Sequence, residues 1–273
     1  MPMSDVLADI FGVDRPVIGM VHLPPLHGSP GYRGDSVEDV LESALLDALA
    51  LKEGGVDGVQ VENMGDKPFM KPGLIGYEAV STVALVAREV RKAVGLPTGV
   101  FILANGVGES IAAAVAAGAR WVRANMYILA YVADEGFVEA CSPKAERLKS
   151  FLEGGVGVFA DVYVKHGSHY IVSDVSLEYQ AERVAELGAD AVVVSGLRTG
   201  GETPVDRLAA VKRAVDKPVL VGSGLTPANA EKLMRYADGA IVGTYFKRDG
   251  VLSNPVDVER VRRLVEAVKR LRR

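Results

Sequence analysis

An α/β fold in which parallel strands alternate with helices and close into a single (β/α)8 barrel follows from three observations. Short β-branched runs alternate with longer amphipathic ones along the whole chain, the pattern of repeated βα units around a parallel sheet. Eight such runs occur, enough for closure of a TIM-type barrel. The chain has 273 residues, 49% of them apolar, which fits one domain near the ~250 residues usual for such barrels. Residues 1–273 are therefore read as a single domain, since no low-complexity linker separates two halves.

In chain order the predicted strands are Val17–His22, Gly58–Glu62, Thr98–Leu103, Trp121–Asn125, Gly157–Lys165, Ala191–Ser195, Val219–Gly222 and Ala240–Gly243. After the first strand, Val37, Val40, Leu41, Ala44, Leu45, Ala48 and Leu49 recur at spacings of three and four, so a helix lays one apolar stripe on the sheet. The last helix repeats the device with Val258, Val261, Leu264, Val265, Val268 and Leu271. Glu53–Gly58, Ala117–Arg120 and Leu187–Asp190 place glycine after a helix and before a strand, where a left-handed C-cap ends the helix. Long βα loops 1, 2 and 4 stand out: His22–Asp35, Asn63–Pro72 and Met126–Gly155, the last expected to hold a helix around Pro143–Phe151. Such loops lie at the mouth of a barrel, and Leu23–Asp35 with Asp66–Pro72 are expected to act as lids.

Charge and cysteine usage exclude several function classes. The 31 Lys and Arg against 35 Asp and Glu leave a net charge of −4, without the basic stripe that a nucleic-acid partner requires. The cationic end Val268–Arg273 suits a helix C-terminus, where the dipole favours positive charge. Cys141 stands alone, so no intrachain disulfide is expected. No apolar run approaches ~20 residues and no leader pattern follows Met1, so neither an integral membrane segment nor a signal peptide is expected, and a cytoplasmic location is. A homo-oligomer is compatible with all of this.

Side chains on a strand alternate between barrel interior and helix layer. That parity points Gln60 and Glu62 inward on the second strand, Trp121, Arg123 and Asn125 on the fourth, and Phe159, Asp161, Tyr163 and Lys165 on the fifth. Barrel interiors are normally filled with branched apolar residues, so Glu62, Arg123, Asp161 and Lys165 facing one another suggest a binding site over the upper layers. The competing explanation is a self-compensating charge network. His22, at the end of the first strand, and His166, just past the fifth, are added as acid–base candidates. His22, Glu62, Asp161 and His166 are also the residues that could ligate a divalent metal, but no tight ligand spacing supports one and no cofactor is expected.

Near the C-terminus, Gly222-Ser223-Gly224 follows the seventh strand and Gly243-Thr244 ends the eighth. In a barrel these are the loops that hold phosphate on backbone N–H groups and a helix N-terminus, and Thr226–Asn229 is expected to start that helix. The Ser195–Gly201 loop, with Thr199 and Gly200, lies beside them in the expected fold. Asn63, Asn105 and Asn125, at the ends of the second to fourth strands, complete the predicted substrate-binding set.

These pieces in this order resemble the BtpA/SgcQ family of barrel proteins over nearly the whole chain. The matching segments are Ile18–His22, Gly54–Gly58 with Glu62-Asn63, Trp121–Arg123, Asp161–His166, Thr199-Gly200, Gly222–Gly224 and Ile241–Gly243 through Lys247. The resemblance implies a ribulose-phosphate-binding-like barrel, with a cyanobacterial member associated with photosystem I biogenesis. Where the family is expected to carry Asn-Asp after the third strand, this chain has Asn105-Gly106, which leaves Glu62 and Asp161 as the acids. The expected function is an enzyme acting on a small phosphorylated metabolite, sugar- or nucleoside-derived, by isomerisation, C–C cleavage or glycosidic-bond cleavage. Asp161 or Glu62 would be the base, His166 or His22 its partner, and Lys165 and Arg123 stabilisers of a developing anion. A non-catalytic assembly or stability factor is the alternative.

Overall fold

The computed structural model describes residues 6–196 and 199–272. Eight parallel strands close into a barrel: β1 (Val17–His22), β2 (Gly58–Glu62), β3 (Thr98–Phe101), β4 (Trp121–Ala124), β7 (Gly157–Val162), β9 (Ala191–Val194), β10 (Val219–Val221) and β11 (Gly239–Val242). Around the ring the order is β1, β11, β10, β9, β7, β4, β3, β2. The helices that connect them are α2 (Val37–Gly54), α3 (Tyr77–Val94), α4 (Val107–Ala117), α5 (Ser142–Leu152), α6 (Leu177–Glu186), α7 (Val205–Ala214) and α8 (Ala230–Met234), and α9 (Val258–Lys269) closes the outer layer against α2. Among the described residues no helix is long and apolar enough to cross a membrane.

Two of the predicted strands end more than one residue early, for local reasons. After Phe101 the ladder is taken over by side chains: Ile102 N–H donates to Ser110 Oγ at 2.9 Å and Leu103 N–H to Asn63 Oδ1 at 2.8 Å. After Val162 the chain enters the left-handed region at Tyr163, φ 55°. The alternation therefore breaks, and Tyr163 leaves the barrel interior: it is exposed, stacks on His169 at 4.2 Å and lies under the Arg207 guanidinium.

Two features had no counterpart in the predicted elements. A short helix, α1 (Val6–Phe11), seals the N-terminal ends of the strands, where Leu7 and Ile10 join Ile18, Trp121, Phe159 and Leu220 in one cluster and the Phe11 ring lies 5.1 Å from Trp121. Within the fourth βα connection, β5 (Ala130–Ala133) and β6 (Gly136–Glu139) form an antiparallel hairpin turning on Asp134-Glu135, and β8 (Gly167–Ser168) adds to β5. The helix expected there is α5.

The αβ turns carry a repeated capping device. Gly55 and Gly118 end α2 and α4 in the left-handed conformation, as the spacing required. An aspartate just before a strand takes an N–H at the start of the neighbouring strand: Asp57 from Val17, Asp190 from Val158 and Asp238 from Val219, each at 2.7–2.8 Å. Arg272, Lys149 and Lys212 neutralise those three carboxylates.

The lower barrel interior is a packed apolar layer. Trp121 and Phe159 stack at 5.6 Å, and a Cβ at Gly99 would fall 2.2 Å from Trp121 Cε2, so glycine is needed there to seat the indole. Trp121 Nε1–H donates to Gln60 Oε1 at 2.8 Å, and Gln60 Nε2–H in turn to Met20 Sδ at 3.6 Å, so the buried amide is not left unpaired.

Candidate functional site

Two residues further along each strand the interior changes character. His22, Glu62, Phe101, Arg123 and Asp161 point inward from β1, β2, β3, β4 and β7, with Gly222 and Gly243 following β10 and β11. Most of them floor a cavity of about 670 Å³, within the range of small-molecule sites.

Arg123 and Asp161 form a closed pair. Arg123 Nε–H donates to Asp161 Oδ2 at 2.8 Å and Nη2–H to Oδ1 at 2.7 Å. Nη2 also donates to Ser195 Oγ, and that hydroxyl donates to Asp161 Oδ1, both at 3.1 Å. The Asp161 side chain is 0% exposed, and a Cβ at Gly222 would lie 2.4 Å from Ser195 Oγ, so glycine makes room for the network. Asp161 and Ser195 therefore sit beneath the cavity wall rather than on it. With both oxygens engaged and the side chain fully covered, Asp161 fixes Arg123 and is shielded from a ligand in the cavity.

Glu62 is the contrasting acid. It is buried, lines the cavity and accepts no hydrogen bond among the described residues; its nearest charged-type contact is His22 Nε2, 3.8 Å from Oε2 and too far for a hydrogen bond. Burial pushes its carboxyl up to about 7, with Asp161 adding and Arg123, Lys165 and Lys67 opposing. The same burial holds His22 down at about 3, helped by Lys247, Lys165 and Lys67, so the imidazole is neutral. His22 Nδ1 is buried and has no hydrogen-bond partner among the described residues. Lys165, brought to the wall by the turn at Tyr163, is lowered to about 8 by burial and by Arg123. His166 is exposed, in the left-handed conformation at φ 64°, with Nε2 2.9 Å from Thr199 Oγ1, and burial together with Lys165 lowers it.

Across the ring lies a second type of surface. The backbone N–H groups of Ser223, Gly224, Leu225, Thr244 and Tyr245 have no acceptor among the described residues, and all five residues line the cavity. Gly224 is left-handed at φ 70°, and a Cβ there would meet Gly201 O at 2.3 Å. The Ser223 hydroxyl is used structurally, accepting from Gly196 N–H at 2.8 Å and donating to Gly201 O at 3.0 Å. Arg260, from the first turn of α9, reaches the same wall, with Nε–H donating to Tyr245 O at 2.7 Å and the guanidinium 4.5 Å above the Tyr245 ring. The expected helix start at Thr226 is displaced: Thr226 N–H donates to Asn229 Oδ1 at 2.8 Å, and α8 begins only at Ala230.

Of the predicted residues, the cavity collects His22, Glu62, Arg123, Asn125, Lys165, His166, Thr199, Gly200, Gly222, Ser223, Gly224, Gly243 and Thr244. Leu197 and Arg198, within the Ser195–Gly201 loop, lie outside the described residues. Asn63 and Asn105 are off the wall and tie loops together: Asn63 binds the Leu103 N–H and Asp66, and Asn105 binds both backbone groups of Met126. The second loop reaches the mouth through Lys67, Pro68 and Phe69, whereas Leu23–Asp35 contributes nothing to the lining and buttresses that loop, Leu26 N–H donating to Asp66 Oδ1 at 2.7 Å. Among the described residues no three His, Cys, Asp or Glu side chains are grouped as metal ligands, because Asp161 is turned to Arg123 and His166 to Thr199. Arg260, Phe69 and Tyr131 were absent from the sequence-derived set.

Comparison with known proteins matches this architecture. The BtpA family model covers residues 13–270. An uncharacterized protein of Pyrococcus horikoshii is 40% identical over 95% of this chain and 98% of its own. The photosystem I biogenesis protein BtpA of Synechocystis is 33% identical over 96% of this chain and 91% of its own. Among solved structures, N-(5′-phosphoribosyl)anthranilate isomerase of Pyrococcus furiosus superposes with a TM-score of 0.57 at 17% identity, covering 94% of this chain and 99% of its own, a likeness of fold. The chain is a member of the BtpA family.

Proposed function

We propose that this protein is an enzyme acting on a small phosphorylated metabolite at the barrel mouth. The observation that carries the reading is the pairing of two surfaces in one cavity: N–H groups of Ser223–Leu225 and Thr244-Tyr245 beside Arg260, and the buried carboxyl of Glu62, with neither those N–H groups nor that carboxyl hydrogen-bonded among the described residues. N–H groups converging on one point bind an anion, and a guanidinium adds charge-assisted donors. A carboxyl held near 7 exchanges protons at neutral pH, as general acid–base catalysis requires.

In this reading Glu62 abstracts a proton from the bound metabolite. Lys165, still mostly protonated below its value of about 8, stabilises the developing anion. Arg123, locked by Asp161, presents fixed positive charge without reorganising during the reaction. Neutral His22, beside Glu62, can pass a proton on. Isomerisation, C–C cleavage and glycosidic-bond cleavage all use such a set. A second reading, a non-catalytic assembly or stability factor, is favoured by the name of the Synechocystis relative, and it leaves the buried acid at Glu62 without a use.

Incubating the protein with a pool of phosphorylated metabolites and following depletion by mass spectrometry tests the proposal. One phosphorylated compound is expected to be consumed, and Glu62→Gln to slow that consumption by ~10²–10⁴-fold while leaving the fold intact. A pool left unchanged, or a Glu62→Gln variant as fast as the parent, would return the assembly-factor reading to first place.

A further inference from the structure

The cavity is chemically two-sided, and the strand order sets the two sides opposite one another. Going round the ring, β4 stands four strands from β11 in either direction, and β3 stands four from β10. The N–H cradle follows β10 and β11. The facing wall carries apolar side chains, Phe101 of β3, Leu103 just beyond it and Tyr131 of the hairpin, and Met64 and Phe69 of the second βα loop continue it to one side. The Arg123 guanidinium lies over the Phe101 ring, 5.3 Å from its centroid, and fixes it in the wall. At the rim of this wall stand Asn125, whose Oδ1 is engaged by Asn105 N–H at 3.3 Å, and the hairpin-tip carboxylates Asp134 and Glu135.

We infer that the ligand carries a planar ring at the end remote from its phosphate, joined to it through a sugar: a nucleoside 5′-monophosphate or a phosphoribosyl compound of the same layout. This deepens the proposed function and rests on its phosphate cradle. A polyol phosphate would turn hydroxyls towards Met64, Phe69, Phe101 and Leu103, which offer them no hydrogen bond, and burying hydroxyls unpaired is costly. An aromatic ring gains from the same wall by burial and by stacking. Its polar edge would meet the Asn125 amide and the carboxylates of Asp134 and Glu135 as acceptors for ring N–H groups. The sugar then spans the barrel axis above Glu62 and Lys165, the two groups assigned to proton transfer. A cavity of about 670 Å³ has room for all three parts.

Calorimetric titration of the intact protein with the four nucleoside 5′-monophosphates, ribose 5-phosphate and inorganic phosphate, at one ionic strength, tests the inference. At least one nucleotide is expected to bind at least ~10-fold more tightly than ribose 5-phosphate, the factor that corresponds to about 1.4 kcal/mol. Phe69→Ala, on the loop above the cavity, is expected to remove most of that factor and leave ribose 5-phosphate affinity unchanged. Ribose 5-phosphate binding as tightly as every nucleotide, or Phe69→Ala weakening both classes equally, would overturn the planar-ring inference and leave the phosphate reading standing. Failure of every phosphorylated probe to bind would overturn both.

Discussion

The lower and upper layers of the barrel interior come from the same strands, two residues apart, and are built on opposite principles. Below, Trp121, Phe159, Ile18, Leu220 and Ile241 fill space, and the amide among them, Gln60, has a partner at both its oxygen and its nitrogen. Above, Glu62, Arg123 and Asp161 bring charge into a region almost as buried. The upper layer is itself divided, because Arg123 and Asp161 satisfy each other while Glu62 has no hydrogen-bond partner among the described residues. A layer made only for stability would have paired all three or none, since a buried carboxyl without partners costs folding free energy. The difference separates residues that hold the site from the residue left open for chemistry.

The strongest way to break that division is to neutralise the two acids one at a time. Asp161→Asn removes the negative charge from the pair and leaves Arg123 buried and uncompensated, so stability is expected to fall by ~3–5 kcal/mol. Replacing both partners by apolar residues, Arg123→Met with Asp161→Leu, should recover much of the loss, because no unpaired charge then remains. Chemical denaturation of the parent and the two variants gives the answer. An Asp161→Asn protein as stable as the parent would show that the pair does not hold the site.

Glu62 sharpens the comparison through pH. Its carboxyl rises from 4.5 unfolded to about 7 folded, so the folded state binds the extra proton between those values and stability declines as pH rises from 4.5 to 7. His22 acts with the opposite sign: lowered from 6.5 to about 3, it makes stability increase as pH rises across that window. Between pH 4.5 and 6.5 the two offset each other in the parent. Glu62→Gln removes one of them, so the variant should gain on the parent by up to roughly 3 kcal/mol between pH 4.5 and 7.5. Melting curves of parent and variant across that range check the sign, and parallel pH profiles would contradict the raised carboxyl.

Strand alternation made half of this site legible and hid the other half. β2 and β4 run regularly up to the mouth, so period two placed Glu62 and Arg123 inside from the residues alone. On β7 the same rule held for Phe159 and Asp161 and failed at Tyr163, where a left-handed residue ends the strand. Parity gives direction and not pairing, so it ranked Asp161 with Glu62 although one is clamped by Arg123 and the other is not. The glycines of Gly222–Gly224 and Gly243 were readable as a cluster on neighbouring strand ends. Arg260 was not, because it reaches the cradle from the last helix and reads as one more cation on an amphipathic pattern. The hairpin carrying Tyr131 was missed because its strands are four residues each, although a two-residue turn between alternating runs is a usable signal.

The central claim is that the mouth of this barrel is a phosphate-ligand site facing an open acid, and a phosphate soak of crystals with an unobstructed mouth tests it most directly. The account predicts phosphate density within hydrogen-bond distance of the N–H groups of Ser223–Leu225 and Thr244-Tyr245, with the Arg260 guanidinium alongside. Saturating phosphate that leaves that cradle empty, or settles elsewhere in the mouth, would contradict it.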